Sequence, residues 1–229
     1  MKKKLILGML FLSMLTGGYS YGQDWANSAR YLTENEGLGD PKPGESRVVF
    51  MGNSITEAWN NFWQEFFSGK PYINRGISGQ ISSQMLVRFR SDVINLKPAV
   101  VVILAGTNDI AGITGPSTLE MIENNIISMV ELAKANGISV VLSSVLPVYD
   151  YPWKPGINPP EKIAALNEMI KIYAKKSGSI YLDYYSSMVN EHKGLKDEYT
   201  FDGVHPNEAG YKVMAPLAEE AIAKALSQK

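Results

Sequence analysis

Six consecutive apolar residues, Ala99-Val-Val-Val-Ile-Leu104, constrain the fold more than any other stretch of this chain. A half-buried strand alternates apolar and polar positions, whereas a run without alternation belongs to a strand covered on both faces, the situation of a parallel sheet. Four more segments read as strands: Arg47–Met51, Tyr72–Asn74, Ile138–Ser143 and Ser179–Leu182. Between them, Gln84–Leu96, Ser117–Asn136, Pro160–Ser177 and Asn207–Ser227 carry apolar residues at helical spacing. Asn136-Gly137 is a helix stop, and Lys97-Pro98 ends a helix before the third strand. Strand–helix alternation at this spacing predicts an α/β fold, a three-layer α/β/α sandwich around a parallel sheet of about five strands, with right-handed crossovers. The 229 residues suffice for one well-cored domain.

The first 22 residues stand apart. Lys2, Lys3 and Lys4 form a basic n-region, Leu5 to Leu15 an apolar stretch too short to span a bilayer comfortably, and Ser20-Tyr21-Gly22 a small-x-small cleavage site. The expectation is a signal peptide over 1–22, an N-terminal extension over 23–45 forming a polar loop, and one domain over 46–229. An uncleaved N-terminal anchor is the alternative. The predicted destination is the periplasm or the medium, with no membrane span in the mature chain. With no cysteine, attachment through a lipidated N-terminal cysteine is excluded and stability must come from the core. Loss of the three leader lysines leaves 19 of 22 basic residues against 23 acidic ones. Nothing basic clusters after the leader, which argues against nucleic acid or anionic lipid headgroups as partners.

Only two histidines are present. His192 lies in a polar run and is expected to face water. His205 follows Asp202-Gly203-Val204 and precedes Pro206 and the last helix, so the Asp202 carboxylate can take the Nδ1 proton and leave Nε2 as a base. The pair could instead merely order a helix start. Ser54, in Gly52-Asn53-Ser54 directly after the first strand, is placed at the carboxyl edge of the sheet, where ligands bind in open α/β folds. A serine hydroxyl is a weak nucleophile until a base accepts its proton. The competing reading is a helix cap, because Ser54-Ile-Thr-Glu57 fits a capping box. Gly79, after the second strand, offers a backbone N–H, Asn108, after the third, a side-chain amide, and Ser54 its own N–H; each can donate to an oxyanion. Gly79 could equally serve a turn and Asn108 an Asx-turn.

These four segments resemble the blocks of the SGNH hydrolase superfamily, the GDSL-type lipases and esterases, in its acetylhydrolase and carbohydrate-esterase branch. Gly52-Asn53-Ser54 is similar to the first block, Asn74-Arg-Gly-Ile-Ser-Gly79 to the second, Gly106-Thr-Asn-Asp109 to the third and Asp202-Gly-Val-His-Pro206 to the last. The resemblance spans about residues 47 to 227 and implies a flavodoxin-like sandwich. It further implies Ser54 as nucleophile, His205 as base, Asp202 as its orienting acid, and Ser54, Gly79 and Asn108 as the oxyanion hole. The first block departs from the usual Gly-Asp-Ser by carrying Asn53, which keeps hydrogen bonding but loses charge. The Gly-x-Ser-x-Gly elbow of α/β-hydrolases is absent around Ser54.

The implied reaction is two-step acyl transfer, with rate falling in acid because the base must be neutral. No cofactor is expected, and no metal, since two histidines are too few for a usual catalytic zinc site without carboxylate help. For the substrate, Asn53 beside Ser54 is a candidate contact; the loop Leu146–Pro160 follows the fourth strand, and its Tyr149, Tyr151 and Trp153 are candidates to stack on a sugar ring or flank an acyl chain, or else to pack the loop. Trp59, Phe62, Trp63, Phe66 and Phe67, after Ser54, are expected in the core. The reading is an exported esterase of short acyl esters, chiefly acetyl, on a small-molecule or glycan substrate. The alternatives are a lysophospholipase or thioesterase on the same site, or a non-catalytic carbohydrate-binding module.

Overall fold

A computed structural model describes residues 24–228; the expected leader lies outside them. Five strands, β1 (Val48–Gly52), β2 (Tyr72–Gly76), β3 (Val100–Leu104), β4 (Ser139–Ser143) and β5 (Ile180–Leu182), pair in the order β2-β1-β3-β4-β5, every pair parallel. The helices are α1 (Leu32–Leu38), α2 (Ser54–Phe62), α3 (Ser82–Asp92), α4 (Thr107–Ala111), α5 (Leu119–Ala135), α6 (Pro159–Ser177), α7 (Tyr185–Met188) and α8 (Glu208–Ser227). Every residue of β1 and β3 is buried, as their unbroken apolar runs require.

The period-two alternation of each strand feeds two separate cores. Val49, Met51, Val101, Ile103, Val140 and Leu142 point toward α3, α5 and α6. Val48, Phe50, Val100, Val102, Leu104 and Val141 point toward α2 and α8. The chain is therefore a three-layer α/β/α sandwich with helices on both faces of a parallel sheet. On the α2 side, Trp59 stacks on Phe66 with ring centroids 4.4 Å apart, and Phe50 meets both edge-on. Trp59 and Phe66 are core residues as expected, and Trp63 and Phe67 pack against that core. Phe62 is not in it: it lies exposed and tilts against Phe201 at 4.9 Å.

Strand register sets the level at which the loops leave the sheet. Gly52 of β1 pairs with Gly76 of β2 and Leu104 of β3, so three strands end in step. The segments 53–54, 77–80 and 105–109 consequently emerge side by side at the carboxyl edge. The segment before β1 is more than the expected polar loop. It forms α1 and buries Ala26 and Tyr31, with the Tyr31 hydroxyl donating to the Gly76 carbonyl. Its polar composition concealed these anchors because each is a single apolar residue among solvent-facing neighbours.

Candidate active site

Asn53, fully buried at 0 % exposure, is the N-cap of α2: its Oδ1 accepts the Ile55 N–H at 2.9 Å. Ser54 is thus the first helical residue and is relieved of capping, and the Ser54–Glu57 capping box does not form. Glu57 is engaged elsewhere, its Oε2 accepting the Ser78 N–H at 2.8 Å and the Ser78 hydroxyl at 2.5 Å. Two glycines permit this packing. A Cβ on Gly52 would collide with the Thr56 side chain, and one on Gly76 with the backbone nitrogen of Glu57. The helix that presents Ser54 lies directly against both strands.

The opposite limb comes from the segment before α8. Asp202 Oδ1 accepts the N–H groups of Val204 at 2.9 Å and His205 at 2.8 Å, while Oδ2 lies 2.8 Å from His205 Nδ1. A carboxylate can only accept, so Nδ1 carries the proton and Nε2 of the neutral ring is an acceptor. Ser54 Oγ lies 3.0 Å from that Nε2 and donates to it. Thr200 fixes the turn by donating to the His205 carbonyl at 2.8 Å. Burial pushes the Asp202 carboxyl upward, but the backbone and ring N–H groups of His205, with the Val204 N–H, outweigh it and hold the pKa below the usual carboxylate value. The sequence-predicted trio is brought together across 151 residues of chain.

Gly79 sits exposed on the adjoining loop with φ +75°, a conformation that suits glycine. Neither its N–H nor that of Ser54 has an acceptor among the described residues. Asn108, buried in α4 and not in an Asx-turn, donates one amide proton to the Gln80 carbonyl at 2.9 Å. Beside it Asp109 accepts the Ser82 N–H at 2.9 Å and the Ser82 hydroxyl at 2.5 Å, and burial pushes its pKa up against those bonds. Sequence reasoning missed Arg88. This fully buried guanidinium donates to Asp92 at 2.8 Å, to the carbonyls of Gly52 and Arg75 at 3.1 and 2.8 Å, and to Gln80 Oε1 at 2.5 Å. The available signal was its position: Met85, Arg88, Phe89 and Asp92 form one helical stripe, with an acid four residues after the arginine.

The aromatic loop divides three ways. Tyr151 is a correction: it is wholly buried and its hydroxyl bonds Thr107 Oγ1 at 2.8 Å and the Thr107 carbonyl at 3.0 Å, so it braces the third-strand loop and contacts no solvent-borne ligand. Trp153 is 45 % exposed and lies 6.0 Å, ring to ring, from His205. Tyr149 is 66 % exposed and lines a groove of about 510 Å³ with His192, Leu195, Asp197 and Gly203, the residue after Asp202. His192 faces water, as expected, 3.6 Å from Glu191. Among the described residues, no group of three or more His, Asp or Glu side chains could hold a metal ion, and no helix is long and apolar enough to cross a membrane.

A serine, a histidine and an aspartate linked in series at the carboxyl edge of a parallel α/β sheet are the makings of a serine hydrolase. The chain belongs to the GDSL-like lipase/acylhydrolase family, whose model matches residues 50–213, and it is a carboxylic ester hydrolase of that family. A GDSL-like lipase from Bacteroides thetaiotaomicron is 53 % identical, covers 88 % of this chain and 99 % of its own, and superposes with a TM-score of 0.86. The platelet-activating factor acetylhydrolase IB subunit alpha2 of Rattus norvegicus is 27 % identical over 206 residues, 86 % of each chain. An acetylxylan esterase from Geobacillus stearothermophilus, 20 % identical, shares the fold with a TM-score of 0.62 over 77 % of this chain and 94 % of its own.

Proposed function

We propose that the protein is an exported serine esterase that removes short acyl groups, chiefly acetyl, from a carbohydrate or another small alcohol. The observation carrying this reading is the unbroken chain Ser54 Oγ to His205 Nε2 and His205 Nδ1 to Asp202, at 3.0 and 2.8 Å. Ser54 attacks the ester carbonyl while His205 takes its proton, and the imidazolium formed is stabilised by Asp202. The tetrahedral oxyanion is received by the N–H groups of Ser54 and Gly79 and the remaining amide proton of Asn108. His205 then protonates the leaving alcohol, and water, activated by the same base, releases the acid and restores Ser54.

Trp153, beside the His205 ring, and the Tyr149 groove, beside Gly203, supply exposed aromatic faces next to this chemistry for the alcohol portion. Stacking a sugar ring on such a face is favourable, and the Asp197 and His192 side chains that line the groove offer hydrogen-bonding groups. The acetylhydrolase named among the relatives supports the short acyl group. Asn53, behind Ser54, acts through the helix start and has no exposed surface from which to touch substrate. Cell fractionation with an antibody to the chain tests export.

The deciding experiment compares hydrolysis of nitrophenyl acetate and nitrophenyl octanoate by wild type, Ser54→Ala and Asn108→Ala. The expected result is acetate turnover abolished in the first variant and lowered roughly 100-fold or more in the second. Preference for octanoate would move the substrate to lipid or thioester, and turnover surviving in Ser54→Ala would refute the serine mechanism. Acetylated xylo-oligosaccharides then test the alcohol, with Tyr149→Ala and Trp153→Ala expected to raise KM selectively on the glycan.

A further inference from the structure

The Gly79 loop has a structural difficulty. Glycine at φ +75° is the most permissive residue available, yet its N–H must hold one direction to serve as a preorganised donor. A turn bond from the Gln80 N–H to the Ile77 carbonyl at 3.3 Å spans the glycine, and the Gln80 side chain adds a restraint from outside the loop. Gln80 is buried and all of its polar groups are committed in different directions. Its Oε1 accepts Arg88 Nε at 2.5 Å, its Nε2 donates to the Ala26 carbonyl at 2.6 Å, and its own carbonyl accepts Asn108 Nδ2 at 2.9 Å.

We propose that Gln80 is a positioning residue through which the segment before β1 holds the oxyanion donors in place. This rests on the reading of Gly79 and Asn108 as those donors. A side-chain amide bonded at both ends cannot turn, so the backbone at residue 80 is fixed, and with it the Gly79 N–H one peptide away. Because one Asn108 amide proton is tied to the Gln80 carbonyl, the other is aimed in a set direction. Both donors outside the helix that carries Ser54 thus depend on one residue.

The far end of the brace is itself anchored several times. Arg88 holds the last carbonyl of β1, at Gly52, and the next-to-last of β2, at Arg75, and pairs with Asp92. Asp92 Oδ1 accepts Asn35 Nδ2 at 2.7 Å, and Asn35 Oδ1 accepts Arg75 Nε at 2.8 Å. Gln84 donates to the Trp25 carbonyl at 2.6 Å, next to the Ala26 carbonyl that Gln80 uses. The segment 24–35 is therefore bonded to the end of β2 and to α3, and Gln80 links that structure to the oxyanion loop.

The test is Gln80→Met, which keeps the length of the side chain and loses both of its hydrogen bonds, assayed on nitrophenyl acetate in the full chain. The expected result is kcat lowered roughly 10- to 100-fold with KM little changed. In an Asn108→Ala background the same substitution should lower kcat by much less, since part of what it positions is gone. A kcat unchanged from wild type, or the full single-variant loss repeated in the Asn108→Ala background, would overturn the proposal. Nitrogen–proton NMR spectra give a readout independent of turnover: the Asn108 side-chain pair and the Gly79 amide should shift or broaden in Gln80→Met, and unmoved signals would also overturn it. Should Gln80→Met fail to fold, Gln80→Glu keeps the Arg88 contact, breaks the one to Ala26, and is judged by the same readouts. A Ser54→Ala protein that still hydrolyses the ester would refute the serine mechanism alone, since the spectra report on Gln80 without it.

Discussion

Asn53 illustrates how one atom beside Ser54 can matter. Its Oδ1 caps α2, but its Nδ2 is buried with no hydrogen-bond partner among the described residues. In Asn53→Asp the capping oxygen survives, and the second oxygen brings a charge into the same site with no donor to meet it. We expect a loss of roughly 1–3 kcal/mol, read as a lower urea midpoint at unchanged slope. Asp202 gives the opposite case, a carboxylate whose ionised form is favoured by its partners. Its pKa is lower folded than unfolded, so its contribution to stability is present above the ordinary carboxylate value of about 3.9 and is lost as pH falls through the folded value. The gap in thermal midpoint between wild type and Asp202→Asn should be open near neutral pH and close on acidification below about pH 4.

Between elements, the decisive contact is α2 against β1 and β2. Backbone meets backbone there, and neither Gly52 nor Gly76 leaves room for a methyl group. In Gly76→Ala the added carbon meets the Glu57 nitrogen, a backbone atom that cannot swing aside, so α2 must shift as a body. The expected cost is about 1–3 kcal/mol by chemical denaturation. The same shift separates Ser54 from His205, which α8's leading segment holds, so kcat on nitrophenyl acetate should fall as well. A variant that loses stability while keeping full kcat would show that α2 can move without carrying Ser54 out of reach of His205.

The whole molecule consists of two apolar cores sharing one sheet, since successive residues of each central strand feed opposite sides. Neither core can open without stripping one face of β1, β3 and β4. Tryptophan fluorescence, to which Trp59 and Trp63 contribute from the α2 side, and far-UV circular dichroism, reporting helices on both sides, should therefore give coincident denaturation curves. Separate transitions would mean that the α2–α8 layer can detach by itself. Read from the sequence alone, the chain already disclosed its fold class and its strand positions to within a few residues, and it singled out Ser54, Asp202 and His205, which the fold brings within hydrogen-bond distance of one another, with Gly79 and Asn108 as proposed donors. Those properties are local: an unbroken apolar run specifies a doubly covered strand, and a chemically distinctive residue directly after a strand marks the carboxyl edge. Tertiary structure alone decided that Asn53 and not Ser54 caps α2, that Tyr151 points inward while Tyr149 and Trp153 face solvent, and that the segment before β1 reaches the Gly79 loop through Gln80. Each depends on what lies opposite a side chain in space: Arg88 with Asp92 reads in sequence like an ordinary solvated pair on a helix, and only packing brings the Gly52 and Arg75 carbonyls to it.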